Sequence, residues 1–305
     1  MAKQYSILAI DIGGTGLKAA CIDRDGNLLA DRLRIPTPYP CPPHVMIDAL
    51  VSLCEPLAGY ERIAAGFPGV VRNGHVVTAP HFDDPAWIDF PLAQALSHAL
   101  GGHPTRLVND AEMQGLAGIK GKGLELVLTL GTGAGTALFR DGDLMPHLEL
   151  AHHPIRGKKS YNDYIGDIAR KKIGKHRWNK RVQRTIDILR SLLHFDHLYI
   201  GGGNAERLEF DLPASISTIS NDAGLEGGAA LWKLDPEDHE DPSAASKRRK
   251  PRAKSVGHAA SKSTPKLTAK PTSNPRSKSK PQSISKPSMT RKTLATTKKT
   301  SRAAR

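Results

Sequence analysis

Acidic side chains are missing from the last 63 residues of this 305-residue chain: residues 243–305 hold 19 Lys and Arg but neither Asp nor Glu. The same stretch has no aromatic residue, so it offers no stacking platform for bases. It is built of Lys, Ser, Thr, Pro and Ala, a composition that cannot offset the ordering entropy of a fold. Its scattered prolines also exclude a long helix. A disordered basic tail over residues 236–305 is expected. Cysteine is scarce too. Cys21, Cys41 and Cys54 are the three in the chain, and none has the C-x-x-C spacing of a zinc site. Reduced thiols in a reducing compartment are expected. No apolar run approaches the ~18 residues that a membrane span needs. The N-terminus lacks the apolar core of a signal peptide. The expectation is a cytoplasmic protein with no membrane partner.

The net charge of +14 comes from the tail alone. Of 44 basic residues 19 lie there, which leaves 25 against 30 acidic ones in the first 242 residues, a net of −5. The basic pI is therefore no sign that the body binds nucleic acid. The tail would attract polyanions in a salt-dependent way. It reads as a nonspecific nucleic-acid tether, a polyphosphate-gathering arm or a solubilising extension.

What the body does contain is a repeated punctuation of strands by glycine. Tyr5–Ile12 is an apolar β-branched run, Gly13-Gly14-Thr15-Gly16 interrupts it, and Leu17–Asp23 resumes. A hairpin turn at Arg24–Asn27 then leads to a third strand over Leu28–Ile35. In dinucleotide-binding folds and phosphate loops the glycines open a helix; here they open a strand. About 118 residues later Leu124–Leu130, Gly131-Thr132-Gly133-Ala134-Gly135, Thr136–Phe139 and the turn Arg140–Asp143 repeat the pattern. A duplication of this length implies two similar lobes, each presenting a glycine tip. Either tip taken singly is better explained by a tight turn. As a pair they suit a polyphosphate chain gripped from both sides, because glycine lets backbone N–H groups approach phosphate oxygens closely.

Helical and strand segments alternate between the repeats. Val45–Leu57 and Pro91–Leu100 read as helices; Ile63–Phe67 and Thr105–Val108 read as strands. Trp178, Val182, Ile186, Leu189 and Leu193 mark an amphipathic helix. Strand His197–Ile200 and helix Asn221–Trp232 complete the body. The basic residues Arg170, Lys171, Lys172, Lys175, Arg177, Lys180 and Arg181 are either a polyanion track or a solvated helix face.

The ordered set Asp11-Ile-Gly-Gly-Thr-Gly, Gly66-Phe-Pro-Gly-Val-Val, Asn109-Asp110-Ala, Leu130-Gly-Thr-Gly-Ala-Gly, Glu149-x-x-His152 and Gly201-Gly-Gly resembles the repressor/ORF/kinase (ROK) sugar kinases. Within them it is most similar to the polyphosphate glucokinases. The resemblance covers residues 5–232. It implies an α/β, two-lobed actin/hexokinase-like (ribonuclease H-like) fold with an interlobe cleft, a small lobe over 1–109 and a large lobe over 110–235. Most of the family carries a cysteine cluster for zinc after the Glu-x-Gly-His motif. This chain has none there, as in the polyphosphate glucokinases, so no zinc is expected.

The resemblance also implies the roles. Asp110 is the general base for a hexose hydroxyl, where the residues alone leave a helix N-cap equally open. Gly13, Gly14, Thr15, Gly131, Thr132, Gly133 and Gly135 hold phosphate. Asp11 holds Mg²⁺, through water. Gly69, His81, Asn109, Asp110, Glu149 and His152 form the sugar site, although Glu149 and His152 also fit a helical surface pair. Gly201, Gly202 and Gly203 lie near a nucleotide if the donor is ATP. Lys18 is either a phosphate contact or an exposed strand residue. His81, where the family usually has Asn, and Ala151, where it has Gly, leave the sugar's identity open. Polyphosphate and ATP both remain candidate donors. A homodimer is expected from relatives. The competing reading is an inactive sugar sensor that contacts nucleic acid through the tail.

Overall fold

The two glycine-punctuated runs fold as two antiparallel hairpins in a computed structural model that describes residues 5–220 and 223–233. The basic tail and its expected disorder lie outside the described residues. In the first hairpin β1 (Ile7–Ile12) pairs with β2 (Leu17–Ile22), setting Asp11 opposite Lys18. β3 (Leu33–Ile35) adds to the β2 edge. The chain then forms α1 (Pro43–Cys54) and returns as β4 (Arg62–Phe67), parallel to β1. A small hairpin of β5 (Val71–Arg72) and β6 (His75–Val76) follows, then α2 (Leu92–Ala99) and β7 (Thr105–Asn109), parallel to β4.

The second half opens with α3 (Asp110–Gly118) and repeats the plan. β8 (Leu124–Leu130), β9 (Ala134–Arg140) and β10 (Asp143–Leu144) are antiparallel neighbours. The excursion β11 (Pro154–Arg156), β12 (Lys159–Ser160), α4 (Tyr161–Ile165), α5 (Asp167–Ile173) and α6 (Lys175–Leu193) precedes two parallel strands, β13 (His197–Gly201) and β14 (Ile216–Thr218). α7 (Ala223–Leu231) ends the described chain. The sheet orders are β3-β2-β1-β4-β7 and β10-β9-β8-β13-β14. Position by position the two sheets match, antiparallel on one side of the central strand and parallel on the other. That is the structural form of the sequence duplication.

Period-two alternation decides which core each strand residue serves. Leu8, Ile10 and Ile12 of β1 pack with Met46, Leu50, Phe67 and Trp87. Ile7 and Ala9, on the other face, join Val108, Met113, Phe139 and Leu225 around α3 and α7. A third cluster unites Leu126 and Leu128 with Trp178, Val182, Ile186 and Leu189 of α6, the stripe expected from its spacing.

Three expectations need correction. The third strand is short. Leu28 and Leu29 are 55% and 57% exposed; Leu28 makes an isolated bridge to Ile22 and the Leu29 N–H donates to Cys21 O at 2.8 Å, but regular strand begins only at Leu33. Glu149 and His152 share no helix, since residues 145–150 have no regular structure and a turn follows. The strand after the second tip also resumes at Ala134, two residues earlier than expected.

Close approach of α3 and α7 explains Gly227 of GLEGGAA. A Cβ on Gly227 would collide with the Met113 carbonyl oxygen. Gly227→Ala should therefore cost about 1–3 kcal/mol, as overpacking does, measured by urea denaturation. Gly203→Ala, where a Cβ meets no atom within 4 Å, should leave stability unchanged.

Candidate active site

The junction of β7 and α3 sets the site. Asn109 is the helix N-cap, and its Oδ1 accepts the Ala111 N–H at 2.9 Å. Glu112 closes a capping box by accepting the Asn109 N–H at 2.9 Å, which satisfies donors that a helix start otherwise leaves unpaired. The Asn109 amide also donates to Gly69 O at 3.1 Å and Phe67 O at 3.3 Å, fixing the β4 loop to the same point. Asn109 therefore takes the capping role that its neighbour was allowed. Asp110 is the first helical residue, and its carboxyl is left for the cleft.

Asp110 accepts the Ala111 N–H at 2.9 Å. Burial, then the charges of Asp11, Glu149 and Glu112, raise its pKa to about 7, against the Ala111 hydrogen bond. A helix N-terminus favours an anion by about 0.3–1 kcal/mol, too little to reverse this. Its acidic neighbours are compensated. Lys18 Nζ lies 2.8 Å from Asp11 Oδ2. His147 lies 2.7 Å from Glu112 and 3.5 Å from Glu149.

The two glycine tips are shaped by local hydrogen bonds. Gly13 N–H donates to Gly16 O at 3.0 Å, and Gly131 N–H to Gly133 O at 3.0 Å. Thr37 and Tyr39 hydroxyls hold the first tip through Gly13 O (2.7 Å) and Gly14 O (2.6 Å). Asn162 Oδ1 holds the second by accepting the Ala134 N–H at 2.8 Å, and a Cβ on Gly133 would meet that same oxygen at 2.6 Å. α5 starts on this tip, with the Asp167 N–H donating to Gly131 O at 3.1 Å. Arg170 and Lys171 follow one turn on, each 2.7 Å from Asp167.

Among the residues expected at a sugar site, Glu149 accepts the Ala151 N–H at 2.9 Å. Burial works against its charge, but the His147 and Ala151 hydrogen bonds outweigh it and hold the carboxyl low. Burial pushes the His81 imidazole down, His152 adds to this, and Glu149 opposes it. The His81 ring stands beside the first tip, 3.2 Å from where a Gly14 Cβ would lie. Ala151 is not among the residues with positive φ, so its backbone needs no glycine.

One cleft of about 690 Å³ gathers these groups. Asp11, Gly13, Gly14, Thr15, Gly69 and His81 line it, with Asn109, Asp110, Gly131, Thr132, Gly133 and Gly135. Glu149, His152, Gly202 and Gly203 complete the expected set. Gly201 does not line it; a Cβ there would face Gln114. Lys18 lines it while paired to Asp11. The sequence reading missed Arg34, Gln114, Thr129, Asn162 and Arg207, which also line it, and Glu112 and His147 behind it. Asn109-x-x-Glu112 is a legible capping-box signal; the others carry no local signal.

Among the described residues no group of three or more His, Cys, Asp or Glu side chains is arranged to hold a metal. Mg²⁺ does not need one, because it keeps water and is shared with substrate phosphates through one or two carboxylates. Asp11, on the cleft wall with Lys18 on Oδ2, fits that role.

The ROK family model matches residues 7–147. Over 236 residues the chain is 30% identical to the polyphosphate glucokinase of Mycobacterium tuberculosis, covering 72% of this chain and 88% of that protein. The crystal structure of the inorganic polyphosphate/ATP-glucomannokinase of Arthrobacter sp. strain KM superposes with a TM-score of 0.69 at 30% identity, over 75% of this chain and 99% of that one. A ROK family glucokinase from Streptomyces griseus, solved with glucose and AMPPNP, gives 0.62 at 18% identity over 74% and 98%. The fold is thus the two-lobed actin/hexokinase-like fold.

The raised Asp110 pKa has a stability consequence. The folded state holds the proton more tightly than the unfolded one, so stability falls as pH rises from about 4 to about 7. Asp110→Asn removes that loss. Urea unfolding should show it more stable than the parent by on the order of 2 kcal/mol at pH 8, and nearly equal at pH 4.

Proposed function

The chain belongs to the ROK family and is a sugar kinase, and from that premise we propose that it transfers a phosphoryl group from polyphosphate or ATP to the 6-hydroxyl of glucose or a similar hexose, with Asp110 as general base. The observation that carries this reading is Asp110 itself. It is a cleft carboxylate without a cationic partner among the described residues, ionising near neutral pH, beside two glycine tips.

In the transfer, the hydroxyl proton passes to the Asp110 carboxylate as the sugar oxygen bonds to phosphorus. The bond from phosphorus to the bridging oxygen breaks, and the donor leaves one phosphate shorter. Backbone N–H groups of the two tips hold the phosphates. Mg²⁺, held by the donor and Asp11, supplies charge neutralisation when bound. Glu149 and Asn109 orient the sugar. Burial favours the neutral His81 ring, in which one nitrogen donates and the other accepts toward hydroxyls. Arg34, Arg170, Lys171 and Arg207 along the same cleft favour a long anionic donor, which needs cations beyond the tips and no base pocket.

Asp110→Asn should lower turnover with glucose by ~10²–10⁴-fold, the range of a general base, with either donor. The parent's kcat/KM should fall tenfold per pH unit below about 7, because only ionised Asp110 accepts the proton. Turnover retained by Asp110→Asn would remove the base assignment. Replacing Arg170 and Lys171 by Ala should raise KM for polyphosphate roughly tenfold and leave KM for glucose unchanged. Equal effects on both would place these cations outside the donor path.

A further inference from the structure

We propose that His147 is a positioning residue for the transfer: as an imidazolium it clamps Glu149, on the sugar side of the cleft, to Glu112, in the cap of the helix that carries Asp110. The inference rests on the reading of Glu149 and Asp110 just given.

The ring geometry argues for the charged form. His147 Nδ1 is 2.7 Å from Glu112 Oε1, and Nε2 is 3.5 Å from Glu149 Oε2. Ionised carboxylates only accept hydrogen bonds, so a ring facing one at each nitrogen satisfies both only with two N–H groups. The site is enclosed: the His147 side chain is 11% exposed and that of Glu112 is 7% exposed. Burial would push the imidazole toward neutrality, but the hydrogen bonds and charges of the two glutamates raise its pKa to about 9.

Each glutamate is gripped twice. Glu112 accepts the Asn109 N–H through Oε2 and meets His147 through Oε1. Glu149 accepts the Ala151 N–H through Oε1 and meets His147 through Oε2. A continuous chain therefore runs from the Asn109 backbone through Glu112, His147 and Glu149 to the Ala151 backbone. It joins the β7–α3 junction to the irregular segment 145–150, which has no regular structure of its own to fix it. His147 and Glu112 also line a second cavity, of about 920 Å³, with Arg72 and His75 of β5–β6, Arg106 of β7 and Asp143 of β10. These are the other charged and titratable groups on that side of the ring.

A buried ion pair is by itself weak evidence of stabilisation. Here its charge bears on the chemistry, because Asp110 senses both Glu112 and Glu149. Loss of the imidazolium would leave those charges uncompensated and make Asp110 harder to ionise. It would also free Glu149 to turn away from the sugar.

The test begins with the full-length parent protein. Long-range ¹H–¹⁵N spectra of the histidine rings, with His147→Gln to assign the signal, should show both His147 nitrogens protonated through pH 8. A neutral ring at pH 7 overturns the proposal. Kinetics of His147→Gln should then show KM for glucose raised about tenfold, and the acid limb of kcat/KM moved up by about half a pH unit or more. An unchanged KM and pH profile, with only a lower unfolding midpoint, would make His147 a structural ion-pair member and overturn the positioning role. Failure of the base reading is separate. It would appear as turnover surviving in Asp110→Asn, while the ring spectra still decide the charge on which the clamp depends.

Discussion

The cleft depends on one unbalanced carboxylate. Four acidic side chains, Asp11, Asp110, Glu112 and Glu149, come close enough for Asp110 to be shifted by the other three. Crowded, partly buried carboxylates repel, and the least compensated one takes up the proton. Lys18 meets Asp11, and His147 meets Glu112 and Glu149. Asp110 has the Ala111 N–H. This distribution of cations, more than any single contact, singles out the group that ionises near neutrality.

The backbone puts that group where it is needed. Asn109 takes over the capping of α3 and fastens the β4 loop with the same amide. The cap, the loop bearing Gly69 and the first residue of α3 thus form one rigid corner. The glycine tips are fixed in the same way, by side chains that reach in from elsewhere: Thr37 and Tyr39 at the first, Asn162 at the second. Tips whose carbonyls and flanking N–H groups are tied down in this manner would need little reorganisation in the proposed transfer.

Two sheets of one topology give the site its two-sided form. β1–β2 and β8–β9 each end at a glycine tip, and the strand pairings on either side of them correspond. α3 and α7 pack closely against one another between strands of the first sheet and Phe139 of β9. The small residues of α7 allow that approach. A substitution at Gly227 is expected to act on stability first, whereas Gly224 lies against Asp11 in the cleft.

The sequence by itself determined most of the elements and named candidate residues that the fold brings to one cleft. Apolar runs bounded by glycines and turns located β1, β2, β4, β8 and β13 to within a residue or two, and the near-3.6 spacing from Trp178 to Leu193 falls within α6, because burial on one face forces that spacing. The ordered motifs picked out residues that line one cleft, with the exception of Gly201. What failed locally was what depends on neighbours distant in the chain. Leu28 and Leu29 look like strand residues, but both are more than half exposed. Asn109 caps α3 as its local pattern with Glu112 allows, but its ties to Phe67 and Gly69, some 40 positions away, come only with the fold. The state of Asp110 and the partnership of Glu112, His147 and Glu149 join residues up to 138 positions apart, counted from Asp11 to Glu149. Electrostatic coupling falls with distance in space and not along the chain, so only the tertiary structure decided which carboxylate would be left to take a proton.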